Sequence, residues 1–233
     1  EETADKALQI VFRSPNPAIK IEFQGGEPLL NFDLVRYVVI KAKQINEVEK
    51  RDLQFVITTT LSLITDEILD FCKEHKIFLS SSLDGPEDLH NRNRPRPGKD
   101  SYSRFVDGLQ KARDKLGYDS VSALMTTSPA SLTRVRDIID EYLKHDLDGI
   151  FLRHLSPYGF AIKTKSYEAY NVDRWLEFYR EGLDYIVELN KQGVRFTEHF
   201  ASLLLTKMFT SSDPGFVDLM NPSGAGISAV VFN

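Results

Sequence analysis

The hydrophobic pattern of the chain alternates between two periods. Five short runs that are apolar or alternate apolar with polar residues predict β-strands: Ile19–Phe23, Leu53–Thr58, Ile77–Ser82, Ser120–Thr126 and Gly149–Arg153. Between them, apolar residues recur every three or four positions, which is typical of amphipathic helices. The connections are long enough to carry a crossover helix, so the pattern predicts an α/β fold with a parallel sheet and helices outside it.

Residues suited to capping mark the ends of several predicted helices. Four polar residues are expected to cap the helices that follow them: Asn31, Thr65, Ser131 and Asn171. Two glycines are expected to close helices at their C-terminal ends: Gly117 and Gly193. The polar segment 87–101 has no periodicity and is expected to be a long loop. A last β element is expected over Ile227–Phe232.

Length and charge narrow the class of protein. The chain has 233 residues, of which 42% are hydrophobic and 27% charged, enough for one domain with a sizeable core. A net charge of −5 offers no basic surface for nucleic acid or for an anionic membrane. Because the chain has no run of transmembrane length and does not open with a signal peptide, we expect it to be cytoplasmic.

Cysteine usage limits the chemistry further. The chain has one cysteine, Cys72, so it holds neither an internal disulfide framework nor a metal site made of clustered cysteines. Cys72 lies on the apolar face of a predicted helix and is expected to be a small core residue.

The stretch that organises the candidate site is Gly25-Gly26-Glu27-Pro28, directly after the first predicted strand. Two glycines permit positive φ and let another molecule approach the main chain closely. Glu27 therefore stands near the carboxyl end of a strand, where parallel α/β folds place their ligands. At this point a tight turn with a solvated glutamate explains the stretch equally well.

Other polar residues also follow predicted strands: Thr58, Thr59, Thr60, Ser82, Asp84 and Arg153. In a barrel-like sheet they would face one mouth together with Glu27. Two interpretations remain open from the residues alone. Glu27 and Asp84 are a pair for acid/base or metal chemistry, or the set of polar groups binds a charged small molecule.

At these positions the sequence resembles the radical S-adenosylmethionine (radical SAM) enzymes. Within them it is most similar to SPASM/twitch-type peptide and protein maturases, among them the anaerobic sulfatase-maturating enzymes and the maturases of His-Xaa-Ser peptide systems. The resemblance rests on Phe23–Leu30, on Ser80–Pro86 followed by His90 and Arg94, and on Gly224-Ala225-Gly226. It covers nearly the whole chain.

The resemblance implies a partial (β/α)6 TIM-like barrel that lacks its first strand and cluster loop. We expect residues 1–212 to form this barrel core and residues 213–233 to begin a truncated C-terminal SPASM/twitch-like extension. The family's Cys-x3-Cys-x2-Cys loop, which holds a [4Fe-4S] cluster, has no counterpart in this chain. Asn221, Pro222 and Ser223 stand where the maturases usually place a further cysteine.

The resemblance also implies which residues bind S-adenosylmethionine: Gln24, Gly25, Gly26, Glu27, Pro28, Ser82, Arg94 and Leu152. A carboxylate and exposed main-chain carbonyls suit the ammonium of the cofactor, and a guanidinium suits its carboxylate. Ser82 matches a ribose contact and Leu152 an adenine contact. His90 is expected to order its loop by a hydrogen bond. Asp84 is the one candidate for catalysis, and no residue is assigned as a metal ligand.

The function implied is reductive cleavage of S-adenosylmethionine at a [4Fe-4S] cluster to a 5′-deoxyadenosyl radical that modifies a peptide or protein. A polypeptide substrate and an electron donor are the expected partners. Without the cluster cysteines, we expect this chain alone to be inactive. Two alternatives stay open: a metal-dependent barrel lyase or hydrolase that uses Glu27 and Asp84, and a non-catalytic peptide-binding scaffold that uses the mouth and Ile227–Phe232.

Overall fold

The structure is a computed structural model that describes residues 1–155, 163, 170–212, 214, 216 and 229–232. The helices are α1 Glu2–Val11, α2 Phe32–Glu49, α3 Asp66–His75, α4 Glu87–Asn93, α5 Ser101–Leu116, α6 Val135–Lys144, α7 Val172–Lys191 and α8 His199–Phe209. The strands are β1 Ala18–Phe23, β2 Asp52–Thr58, β3 Ile77–Ser82, β4 Val121–Leu124, β5 Gly149–Ile150 and β6 Thr197–Glu198. Two short 3₁₀ turns cover Pro28–Asn31 and Tyr118–Ser120.

The chain forms two compact units. The first comprises Glu1–Leu83 and Glu87–Leu124, and the second comprises Asp84–Pro86 and Met125–Asn233.

A parallel sheet organises the first unit. Its four strands lie in the order β1-β2-β3-β4, and every neighbouring pair is parallel. The register sets Phe23 opposite Ile57, and Ile57 opposite Leu79. All carboxyl ends of these strands therefore meet at one edge, where ligands of parallel sheets bind. The prediction of a parallel α/β fold is confirmed.

Helices cover the sheet of the first unit. Phe55 and Ile57 of β2 and Leu79 of β3 are buried, as are Phe105 on α5 and Leu69 on α3. Alternate β2 residues point to opposite faces, so this burial fixes the register of the strand. Thr65 accepts a hydrogen bond from the Ile68 backbone N–H, which confirms it as the cap of α3.

Helix α5 packs closely against the loop that follows β2. A Cβ added to Gly108 would lie 2.6 Å from the Leu61 Cβ and 2.7 Å from the Leu61 carbonyl oxygen. Leu61 itself has a φ of +61°, in the left-handed region that side chains rarely adopt. Glycine at 108 thus lets α5 support a strained loop that carries Thr59 and Thr60.

In the second unit, α6 packs on α7. Val135 and Ile139 on α6 are buried, and so is Phe178 on α7. A Cβ on Gly182 would lie 2.6 Å from Val135 Cγ2 and 2.8 Å from Leu152 Cδ1, so glycine permits this close approach. The strands β5 and β6 of this unit pair in parallel. Asn171 caps α7, as predicted, by accepting from the Arg174 N–H at 2.9 Å.

The prediction of a long loop over 87–101 is wrong in its first half. Residues Glu87–Asn93 form α4, and Arg94 follows its end. Leu89 and His90 are buried, while acidic residues occupy the first turn and basic residues the last, which suits the helix dipole. With one apolar side chain in seven residues, the sequence offers no helical period to detect.

Two capping predictions also need correction. The helix expected to start from Ser131 begins at Val135, and Ser131 instead accepts from the Ser128 N–H within the preceding turn. Asn31 does stand at the start of α2, but its side chain makes no capping bond. The strand expected over Gly149–Arg153 ends at Ile150, because the Leu152 N–H binds the Glu198 side chain instead of a neighbouring strand. The short β6 was not predicted.

Two further predictions concern the C-terminal part and membrane association. Of the β element expected over Ile227–Phe232, the structure describes residues 229–232: Ala229 forms an isolated β-bridge, and Val230, Val231 and Phe232 have no regular structure. The boundary at residue 213 lies outside the described residues. Within the described part, no helix combines the length and the apolar character needed to cross a bilayer.

We expect Gly108→Ala to destabilise the first unit. Alanine favours a helix over glycine by about 1 kcal/mol, but overpacking against Leu61 costs about 1–3 kcal/mol. The net loss, up to about 2 kcal/mol, should appear in urea unfolding. Lys111→Ala, at an exposed position of the same helix, is the matched control and should change little. A gain in stability for Gly108→Ala would contradict this, because it would show that the loop carrying Leu61 can move away from the added methyl group without cost.

Candidate cofactor site

The carboxylate of Glu27 joins the ends of β1 and β2. It accepts four hydrogen bonds, from Thr59 Oγ1 at 2.7 Å, Thr60 N at 2.9 Å, Thr60 Oγ1 at 2.7 Å and Leu29 N at 3.3 Å. The last bond caps the 3₁₀ turn Pro28–Asn31. Since a carboxylate has about four lone-pair sites, protein donors already occupy the available acceptor positions of Glu27.

The loop that holds Glu27 is itself tightly held. The Thr59 N–H donates to the Ser80 carbonyl at 2.9 Å and so extends the β2–β3 ladder by one bond. Thr59 is 5% exposed, and its Oγ1 also accepts from the Leu61 N–H at 3.2 Å. Thr59 therefore fixes both the loop and the carboxylate.

A cavity of about 280 Å³ opens beside this loop in the first unit. Its wall comprises Thr60, Ser62, Ser82, His90, Arg94, Pro95, Arg96 and Ser101. Two of these are arginines and four carry hydroxyl groups. Guanidinium groups bind carboxylates through paired N–H donors, and hydroxyls both donate and accept. This wall suits a polar ligand with an anionic end.

A chain of hydrogen bonds links Glu27 to this cavity. Thr60 Oγ1 lies 2.9 Å from Ser62 Oγ, which accepts from Arg96 Nη1 at 3.5 Å. Arginine only donates and a carboxylate only accepts. The hydroxyl protons must therefore point one way, from Arg96 through Ser62 and Thr60 to Glu27.

Helix α4 supplies the next side of the cavity. His90 is 2% exposed, and its ring lies 6.1 Å from the Tyr102 ring and 6.0 Å from the Phe105 ring. Its carbonyl accepts from the Arg94 N–H at 2.9 Å. His90 thus anchors the start of the segment that carries Arg94 and Arg96, by packing and by its main chain.

The structure brings Ser82 and Arg94 together in one cavity with Thr60, which is bonded to Glu27. The rest of the glycine stretch is arranged differently. The Gln24 side chain donates to Glu22 at 2.7 Å, and Gly25 has a φ of +126°. A Cβ at Gly25 or Gly26 would meet nothing within 4 Å, so the main chain there is open to a ligand.

Three other predicted residues belong to the second unit. Asp84 is 1% exposed and accepts from the Thr126 N–H at 3.0 Å, so it holds the start of this unit in place. Leu152 is buried. Arg153 is exposed, and its guanidinium carbon lies 5.2 Å from the centre of the Phe151 ring.

Glu198, which sequence reasoning missed, anchors Leu152. Its carboxylate is 4% exposed and accepts from Leu152 N at 3.0 Å, Tyr179 OH at 2.8 Å and Ala201 N at 2.6 Å. A single buried glutamate in a two-residue strand leaves no periodic signal. The only hint is an acidic residue directly before a helical pattern, at the cap of α8.

The residues present suit the binding of S-adenosylmethionine but not the ligation of an iron–sulfur cluster. The cavity, its arginines and the adjacent carboxylate suit an amino acid attached to a larger polar group. An iron–sulfur cluster needs cysteine thiolates, and Cys72 is 1% exposed with burial raising its thiol pKa to about 12. Among the side chains that the structure describes, no three His, Cys, Asp or Glu residues group to hold a metal.

The Radical SAM superfamily matches residues 1–141. The chain is 23% identical to the radical SAM cyclopropyl synthase TigE of Paramaledivibacter caminithermalis, over 77% of this chain and 36% of TigE. It is 21% identical to a cysteine-type anaerobic sulfatase-maturating enzyme of Clostridium perfringens, over 88% of this chain and 56% of that enzyme. It thus spans about a third to a half of these relatives.

Solved structures show the same fold. Native anSMEcpe with bound AdoMet and Kp18Cys peptide superposes with a TM-score of 0.74 at 18% identity, over 91% of this chain and 59% of that one. Native anSMEcpe with bound AdoMet gives a TM-score of 0.70 at 20% identity, with the same coverage. These matches bear out the predicted fold class.

We expect Tyr179 to stabilise the second unit in a pH-dependent way. Burial, and then the hydrogen bond to Glu198, raise the phenol pKa of Tyr179. Only the neutral phenol donates, so its contribution is complete below the ordinary tyrosine pKa of about 10 and is lost as the pH rises through the raised value. Tyr179→Phe should cost about 1–2 kcal/mol at neutral pH and less at strongly alkaline pH, as measured by urea unfolding. An equal cost at every pH would contradict this.

Proposed function

The chain belongs to the radical SAM superfamily, and on that premise we propose that it forms the S-adenosylmethionine-binding part of an enzyme that modifies a peptide or protein. The observation that carries the proposal is the first-unit cavity, with Ser82, Arg94 and the Glu27-bound Thr60 along one rim. Reductive cleavage of S-adenosylmethionine at a [4Fe-4S] cluster is the chemistry that the cofactor supplies when bound.

Binding and orientation are the proposed tasks of this chain. Arg94 holds the carboxylate of the cofactor, because a guanidinium matches it with paired donors. The ammonium lies at the open main chain of Gly25 and Gly26, next to Glu27. Ser82 binds the ribose. The four donors on Glu27 keep its negative charge in place, so a cation meets a fixed site and little reorganisation is needed.

In the second unit, the family resemblance assigns an adenine contact to Leu152, whose N–H donates to Glu198 at 3.0 Å. Gln24 and Pro28 flank the ammonium site. Asp84 remains a candidate for catalysis. The one cysteine of this sequence is buried, so no step of the reaction is assigned to this chain through a cluster.

A polypeptide substrate is the proposed partner, with an electron donor for the cluster. The similarity to a sulfatase-maturating enzyme, and to the structure of anSMEcpe with a bound peptide, supports this. We also propose the domain division expected from the sequence, with a barrel core over 1–212 and the beginning of a SPASM/twitch-like extension over 213–233.

The first experiment measures binding of S-adenosylhomocysteine, an unreactive analogue of the cofactor, by calorimetry. We expect the protein to bind it, and Arg94→Gln to weaken binding about tenfold or more, since hydrogen bonds to charged groups contribute about 1.5–3 kcal/mol. Arg136→Gln, on α6 and half exposed beside Glu181, is the matched control and should bind normally. No binding by the unaltered protein would refute the proposed site.

The second experiment tests the expected inactivity of these 233 residues alone. Because their one cysteine is buried, anaerobic incubation with iron and sulfide should leave no stable [4Fe-4S] absorption band. Addition of dithionite and S-adenosylmethionine should then release no 5′-deoxyadenosine. A stable band or 5′-deoxyadenosine release from this chain would contradict the proposal.

A further inference from the structure

Arg96 lies in the cavity wall with unused hydrogen-bonding capacity. Its guanidinium has five N–H donors. Within the described part of the chain it makes one long hydrogen bond, from Nη1 to Ser62 Oγ at 3.5 Å, and an ion pair from Nε to Asp100 Oδ1 at 3.4 Å. That ion pair lacks hydrogen-bond geometry, since the buried Nε has no hydrogen-bond partner. Among the described residues, most N–H donors of Arg96 therefore have no acceptor.

The nearby acid does not neutralise Arg96 fully. Asp100 Oδ2 binds Arg104 Nε at 2.5 Å, much closer than the 3.4 Å to Arg96. The hydrogen bond from Arg104 is the main cause of the lowered pKa of Asp100. One carboxylate thus faces two guanidinium groups and pairs mainly with Arg104. Arg96 keeps net positive charge at the cavity.

Arg96 is also connected to Glu27. The one-way chain from Arg96 through Ser62 and Thr60 ends on Oε2 of Glu27. A cation and an anion therefore stand at the two ends of a chain only two hydroxyl groups long. An α-amino acid carries an ammonium and a carboxylate on one carbon, so a cation and an anion linked in this way offer each of these two groups an opposite charge.

We infer that Arg96 is a specificity-determining residue that binds the α-carboxylate of the ligand's amino-acid end, alongside Arg94. The inference rests on the proposed function and adds a second cation to it. Two guanidinium groups select a ligand that carries the carboxylate over one that holds only the nucleoside. When the ligand binds, its carboxylate accepts hydrogen bonds from the N–H donors of Arg96 that have no partner. The long contact to Ser62 is then no longer needed to satisfy the guanidinium.

The test compares two probes that differ in the amino-acid end. S-adenosylhomocysteine carries it, whereas 5′-methylthioadenosine has the same nucleoside and thioether without it. We expect Arg96→Gln to weaken S-adenosylhomocysteine binding about tenfold or more, and to change 5′-methylthioadenosine binding less than about twofold. Arg96→Lys keeps the charge but loses the paired N–H donors, so its affinity for S-adenosylhomocysteine should lie between those of the unaltered protein and Arg96→Gln. Arg136→Gln should bind both probes normally.

The outcomes separate this inference from the proposed function. Failure of the unaltered protein to bind S-adenosylhomocysteine would refute both. Normal binding of it by Arg96→Gln would overturn the role of Arg96 and leave the proposed function standing. Equal losses for the two probes would also overturn it, because Arg96 would then support the cavity wall. Thermal unfolding of each variant, expected to match the unaltered protein, excludes misfolding as the cause of a selective loss.

Discussion

The hydrogen bonds between Glu27 and the Thr59-Thr60 loop are the constraint on which the rest of the site depends. They tie the end of β1 to the end of β2 through one carboxylate. If one of these donors were removed, part of the Glu27 charge would lose its hydrogen-bond partner. The free energy of folding lost in this way exceeds the net contribution of the hydrogen bond itself. Gly108 supports the same loop from behind, by letting α5 approach Leu61. The Thr59-Thr60 loop is therefore fixed both by its hydrogen bonds to Glu27 and by the packing of α5 against Leu61.

This constraint gives Glu27 a different character from the one that sequence alone indicates. A glutamate after two glycines suggests a free acceptor for a ligand. In the structure, protein donors occupy the lone pairs of Glu27. Its negative charge acts on the cavity through its electrostatic field and through the hydrogen bonds of Thr60 and Ser62. The site thus combines a fixed negative charge with the positive charges of Arg94 and Arg96, a pattern that favours a zwitterion.

Sequence reasoning predicted the elements whose signal is periodic. The strands β1, β2 and β3 are apolar runs or alternate apolar with polar residues, and Thr65 precedes an amphipathic helix. These strands and this helix cap were therefore predicted correctly. Helix α4 was missed because Leu89 is its one apolar residue and its other buried residue, His90, is polar. Glu198 and Arg96 were missed because their roles come from partners far away in the chain or from polar loops, where no spacing rule applies. Thr60 and Ser82 were grouped because both follow predicted strands, and Arg94 was added by the family resemblance; the structure places all three in one cavity wall.

The most direct test of the central claim is a crystal structure of the protein with S-adenosylhomocysteine. The account predicts that the amino-acid end of the ligand lies in the first-unit cavity, with its carboxylate at Arg94 and Arg96 and its ammonium beside Glu27 and the Gly25-Gly26 main chain. A ligand bound elsewhere, or bound in this cavity with its amino-acid end turned away from both arginines, would contradict it.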